Sequence, residues 1–272
     1  MTTTFSAEAR ALSLDALMCC DIEQKGQLAS SLLDTVAIDP ETVWPEPDGL
    51  RLSPGRAPKP ALVPPNQLKH RSVHTALGRA TLIHALAHIE FNAINLALDV
   101  LWRFAGMPRS FYLDWMRVAR EEAYHFGLLT ARLASLGYRY GDFPAHNGLW
   151  EMASKTADDL LARLALVPRT LEARGLDASP PMRDKLAHAG DHDSAEILDV
   201  ILRDEIGHVA IGNRWYRFVC EQRGLEPVQT YEVLAQKYNA PRLRGPFNLD
   251  ARRQAGFDEL ELKQLETLMQ NP

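Results

Sequence analysis

The chain has 272 residues, 46% hydrophobic and 24% charged, with 16 glycines and 17 prolines, which supports one large core or two small ones and excludes collagen-like, fibrous and disordered readings. Thirty-five Asp and Glu against 30 Lys and Arg leave a net charge of -5, so no whole-molecule basic field draws the chain onto nucleic acid or an anionic membrane. No run approaches the roughly 18 apolar residues of a membrane helix, and no positive region precedes the first apolar residues.

Residues up to 36 read as two short helices broken near Cys20-Asp21, with Ser6 and Asp21 as N-caps. Between Asp39 and Pro65 prolines recur (Pro40, Pro45, Pro54, Pro60, Pro65), each removing an amide donor and turning its predecessor away from helix. Residues 1–65 are therefore expected to be short helices followed by a proline-rich wrap on the surface.

The body is expected over residues 66–223. A first long helix spans about 73–105, with Leu82, Leu86, Ile89, Ala93, Leu96 and Val100 as its apolar stripe, and stops at Gly106-Met107-Pro108. A second spans about 109–136, with Trp115, Val118, Leu129 and Leu133. Residues 137–150 are irregular and long enough to cross a bundle from end to end. A third helix is expected from about 151 to 174, kinked at Pro168. A short helical piece then follows Pro180-Pro181, and a fourth long helix runs from the Gly190-Asp191 turn to about Cys220. Residues 224–272 read as a C-terminal extension packed on the body, closing with the amphipathic DELELKQLETL. The fold class is all-α.

Two of these helices carry the same unit, Glu122-Ala-Tyr-His125 and Glu205-Ile-Gly-His208, and residues three apart on a helix share a face. Glu90 lies 16 residues before Gly106 and Glu122 lies 16 after it, so an antiparallel hairpin sets them level. Around Gly190, Glu205 lies 15 residues on and Glu172 lies 18 back, which sets a carboxylate near the second unit. One Glu from each of two helices and Glu-x-x-His from each of the other two is the ligand pattern of di-iron and di-manganese carboxylate bundles. Glu196 falls half a turn away from Glu205 and is left out. Four carboxylates gathered without partners would repel one another; two divalent cations would neutralise them, so metal-free protein should melt lower.

Other residues carry less. Glu121 and Asp204 either line a charged rim or accept a hydrogen bond from the non-metal nitrogen of the opposing histidine. Tyr124 and Trp215 lie beside the ligand positions and are candidates for redox activity; Trp102, Trp115, Trp150 and Trp215 suit core packing. His70, His74, His84, His88, His146, His188 and His192 lack ligand spacing and read as surface or capping residues. Cys19 and Cys20 read as inert and buried. Cys220 brings the total to three cysteines, too few and wrongly spaced for a disulfide framework, which fits a reducing compartment and a cytoplasmic location. Arg242, Arg244, Arg252 and Arg253 cluster in the tail, where a tRNA substrate is an option beside plain solvation.

The segments HALAHIEFNAINLALD, REEAYHFGLL, VPRTLEARGLD and ILRDEIGHV, together with GRAPKPALVPP, resemble an uncharacterised bacterial family of ferritin-like proteins, one of the domain-of-unknown-function families, over roughly residues 50–222. The resemblance implies a ferritin-like four-helix bundle with an N-terminal helical and proline-rich extension and a C-terminal tail. It further implies Glu90, Glu122, His125, Glu172, Glu205 and His208 at a dinuclear centre, and the sequence departs at none of the six. In such sites Glu122 and Glu205 would bridge the metals. At fold level the layout also resembles tRNA hydroxylases and rubrerythrins.

Carboxylate and imidazole donors without thiolates suit iron, manganese or a mixed pair. The leading expectation is a di-iron oxidoreductase that activates dioxygen on a small-molecule substrate with an external electron donor. Iron handling by ferroxidation is the alternative, although the proline wrap and tail would hinder assembly into a cage. A metal-free helical interaction module is the plainest reading. A homodimer fits any of them.

Overall fold

The computed structural model describes residues 8–34, 37–69 and 71–270; Ser6 and His70 lie outside them. Among the described residues all regular structure is helical, apart from isolated bridges pairing Glu8 with Ala37 and Leu62 with Ala145. Among the described residues no helix is long and apolar enough to cross a membrane. The chain divides into two compact units, meeting in sequence at Ser154 and Lys155.

In the first unit, helix α1 (Ala9–Met18) starts where the Glu8 carboxylate accepts from the amides of Arg10 and Ala11. Helix α2 (Ile22–Ser31) is capped by Asp21, as its spacing predicts, through the Gln24 amide at 2.8 Å. Helix α3 (Ala76–Arg103) begins three residues after the expected start at about residue 73, because the Thr75 hydroxyl accepts from the Gly78 amide and fixes the cap there. Gly106, at φ +76°, reverses the chain into α4 (Arg109–Ser135). Helices α3 and α4 pack on each other, α1 on α3 and α2 on α4.

The proline connector is extended, as expected, but it is pinned by buried cations rather than simply wrapped on the surface. Arg10, fully buried, donates to the Leu101 and Trp102 carbonyls at the end of α3 and to the Asp39 and Thr42 carbonyls of the connector, satisfying carbonyls that the helix end leaves free. Lys25 donates to Leu17 O, Gly55 O and Asn95 Oδ1 at 2.8, 2.8 and 2.6 Å. Leu50 is buried in the same connector. Cys19 is half-buried and Cys20 exposed, contrary to expectation, because they occupy the break between α1 and α2. Cys220 is buried. Helix α5 (Gly148–Lys155) follows an irregular stretch after α4, and His146 caps it by accepting from the Gly148 amide.

In the second unit the single kinked third helix of the sequence reading is replaced by helix α6 (Leu160–Leu166), a π-helical segment (Val167–Glu172) and helix α7 (Ala173–His188). The chain restarts at α6 because Asp159 caps the Leu161 amide. It widens into a π turn where Pro168 removes an amide from the ladder, and the Thr170 hydroxyl donates to the Ala165 carbonyl. Pro180 and Pro181 do not start a separate piece but lie inside α7. The Leu176 carbonyl that Pro180 leaves free accepts from Asn248 Nδ2 at 3.2 Å.

Gly190, at φ +79°, and the Asp191 cap then open α8 (His192–Gln222). Helices α9 (Pro227–Lys237), α10 (Leu249–Gln254) and α11 (Glu259–Gln270) complete the unit. Phe247, Ala251, Phe257, Leu262 and Leu265 of this tail bury against Leu176 of α7 and Val209 of α8, each large side chain contributing about 1.5–3 kcal/mol. Arg252 does not join an exposed basic patch: it is buried and forked onto Asp177, with a further bond to the Ala173 carbonyl. Arg253 pairs with Glu259, leaving Arg242 and Arg244 as the exposed, unforked members of the tail cluster.

Candidate metal centre

Helix α4 buries one stripe, Trp115, Val118, Glu122, His125, Leu129 and Leu133, so Glu122 and His125 occupy places that helical spacing assigns to core residues. Glu122 and His125 are fully buried and Glu90 of α3 is 4% exposed. Ligand atoms of these three side chains lie within 4.8 Å of one another. Nδ1 of His125 stands 3.4 Å from Glu90 Oε2 and 3.5 Å from Glu122 Oε2. Burial alone would lower the basicity of this imidazole, but bonds to Glu122 and then Glu90 outweigh it and raise the pKa to about 11. A buried Glu/His group of this kind can hold a metal ion.

The second unit repeats the local geometry. Along α8, Leu198, Ile201, Glu205, His208, Gly212, Trp215 and Val219 form the buried stripe, and His208 Nδ1 lies 3.4 Å from Glu205 Oε1. Glu205 and His208 are both buried. Glu172, half-buried, closes the π-helical segment, which packs on α8. Gly212 makes that packing possible: a Cβ there would stand 2.5 Å from Pro168 Cβ. Glu196 is exposed, in keeping with its phase.

Around these donors, Glu121 is half-buried and Asp204 accepts a fork from its neighbour Arg203. Tyr124 is exposed, its ring tilted against His125 with centroids 6.1 Å apart. Trp215 is core, edge-on to Phe218, and Trp102, Trp115 and Trp150 are buried as expected.

His84 and His88 are not surface residues. Both are buried, because the loop after α4 folds over α3: the Gly141 amide donates to His84 Nε2 at 2.9 Å, and Tyr140 stacks on the His84 ring. His88 donates from Nε2 to the His146 carbonyl and accepts at Nδ1 from the Tyr140 hydroxyl. Burial lowers both imidazoles to about 4 and raises the Tyr140 phenol. Their spacing held the signal: His84, His88 and Asn92 recur every four residues and so share a face, although not the face of Glu90. His74, His188 and His192 are exposed.

A family model described as a protein of unknown function (DUF455) matches residues 18–263. The chain belongs to the DUF455 family. An uncharacterized protein of Haemophilus influenzae (strain ATCC 51907 / DSM 11121 / KW20 / Rd) is 53% identical over 211 residues, covering 75% of this chain and 73% of that protein. No solved structure matches. The six candidate ligands and the His84–His88 cluster all fall inside the DUF455 span.

Proposed function

We propose that this DUF455 protein is a ferritin-like dinuclear metalloenzyme, an oxygen-dependent oxidoreductase that holds two iron ions, with manganese or a mixed pair as the variant. Glu90, Glu122 and His125 would hold the pair together with Glu172, Glu205 and His208. One observation carries the reading: two carboxylates and an imidazole, all buried, have ligand atoms within 4.8 Å of one another. Taking carboxylates out of water costs several kcal/mol each unless a cation compensates, and the donor set, oxygen and imidazole without thiolate, fits iron or manganese. The Glu-x-x-His geometry of α8 supplies a matching pair, His208 Nδ1 beside Glu205.

Two such ions, held by these residues, would supply the electrons for reducing dioxygen. The chain's own side chains fix the donors. His125 and His208 present Nδ1 to their carboxylates, and Val118 and Leu129, buried on the same stripe of α4, flank Glu122 and His125 with apolar side chains. Six side-chain donors would leave room at such a centre for oxygen and a small organic substrate.

The test is anaerobic loading of chelated protein with Fe(II), followed by metal counting and thermal melting. Two ions per chain are expected, with a higher Tm on loading, since a ligand at 100 times its Kd stabilises by about 2.7 kcal/mol. Glu122→Ala or His125→Ala should lose metal. Stoichiometry below one ion per chain, or a Tm that ignores iron, would overturn the reading.

A further inference from the structure

Between Leu86 and Trp102 every residue of α3 is buried except Ile89, which is 45% exposed. Ile89 opens onto a cleft of about 480 Å³ within the first unit, inside the size range of small-molecule sites. Leu82 and Ile89 of α3 form one apolar wall and Phe143 the other, with His88 and Asn92 at the buried floor. Lys69 and Arg71 line it too, both exposed, and among the described residues no Asp or Glu contributes to the lining.

The walls are held in place. Val63 N donates to Ala145 O and Ala145 N to Ala61 O, at 2.8 and 3.0 Å, tying the Phe143 loop to the connector. His88, bonded to Tyr140 and to the His146 carbonyl, ties that loop to α3. A preformed apolar slot with two cations and no carboxylate is complementary to an apolar body that carries negative charge.

We propose that this cleft binds a small amphiphilic organic anion, an apolar chain or ring bearing a single carboxylate. A second copy of the chain fits less well, because a two-fold contact would oppose the cationic rims of both copies. The inference needs no metal and none of its ligands, so it stands or falls apart from the metalloenzyme reading.

Calorimetric titration of the full chain with sodium decanoate, decyltrimethylammonium bromide and 1-decanol tests it. Decanoate should bind saturably at one site per chain, at least tenfold tighter than either other probe. The Lys69→Glu/Arg71→Glu variant should weaken decanoate at least tenfold. Ala85→Trp, at an exposed position on the cleft, should abolish binding while circular dichroism stays unchanged. The proposal is overturned if decanoate does not saturate, if all three probes bind alike, or if both variants bind like the parent. A concentration-dependent dimer that Ile89→Glu dissociates would also overturn it, assigning the slot to a second copy.

Discussion

Replacing Gly212 by alanine tests whether the π-helical segment sits where it does because α8 lacks a side chain there. The new Cβ would stand 2.5 Å from Pro168 Cβ and 2.8 Å from its Cγ, whereas carbons in contact keep about 3.5–4.0 Å. Neither partner is the flexible end of a side chain, so backbone must move by about 1 Å, and overpacking of that kind costs about 1–3 kcal/mol. Helix propensity returns about 1 kcal/mol when glycine becomes alanine. Gly207, in the same helix, has nothing within 4 Å of its would-be Cβ, so Gly207→Ala collects the propensity gain alone. Gly212→Ala should therefore be about 1–3 kcal/mol less stable than Gly207→Ala, a gap of several degrees in Tm at about 2–4 °C per kcal/mol. Urea unfolding and calorimetry of the two variants read it directly. If both substitutions raise Tm equally, the close approach of Pro168 to α8 is wrong, and with it the account of how Glu172 is positioned.

Three further outcomes are expected. Burial lowers the folded-state pKa of His84 to about 4 from 6.5, with Asp142 opposing, so its contribution is full above pH 6.5 and is lost as pH falls from 6.5 towards 4. At about 1.4 kcal/mol per pH unit, discounted for partial screening, roughly 2–3 kcal/mol should disappear, and urea titrations should show a slope shallower by that amount in His84→Gln than in the parent, the remainder coming from His88, lowered over the same range. Arg252→Met strands Asp177, whose side chain is 10% exposed, and should cost about 3–5 kcal/mol, with limited proteolysis cutting first in the tail. Glu90→Leu/Glu122→Leu/His125→Leu, which replaces the whole buried trio, should abolish iron binding yet leave the metal-free protein as stable as its parent or about 1–4 kcal/mol more so; a clear loss in denaturant melts would show that the buried trio stabilises the fold without a cation.

The long helices, their turns and the Asp21 cap were legible because periodicity, glycine and capping chemistry act within a few residues. Proline was harder to read. Pro168 produced a π turn rather than a kink, and Pro180-Pro181 sit inside α7 because Asn248, some 70 residues away in sequence, takes the freed carbonyl; no local rule anticipates that donor. Glu90, Glu122 and His125 were legible from hairpin arithmetic. His84 and His88 were not, because what buries them is a loop with no periodicity, held by Tyr140 and by the backbone of Gly141 and His146. Arg10 and Lys25 were missed for a related reason: a buried cation that serves backbone carbonyls has no sequence-adjacent partner to reveal it.

The two Glu-x-x-His units differ from ordinary polar pairs in where the helix puts them. Surface Glu and His pairs fall outside the apolar stripe, so their cost is small and their meaning slight. Here the stripe runs through them: Val118, Glu122, His125, Leu129 in α4 and Ile201, Glu205, His208, Gly212 in α8. Leucine at those positions would pack as well and cost no desolvation. In α4 the imidazole, drawn up to about 11 by its carboxylates, supplies one positive charge where Glu90 and Glu122 bring two negative ones. A single proton therefore leaves the set one charge short of neutrality, whereas a divalent cation on a neutral imidazole closes it, and that deficit is the physical reason to expect metal at this point of the helix.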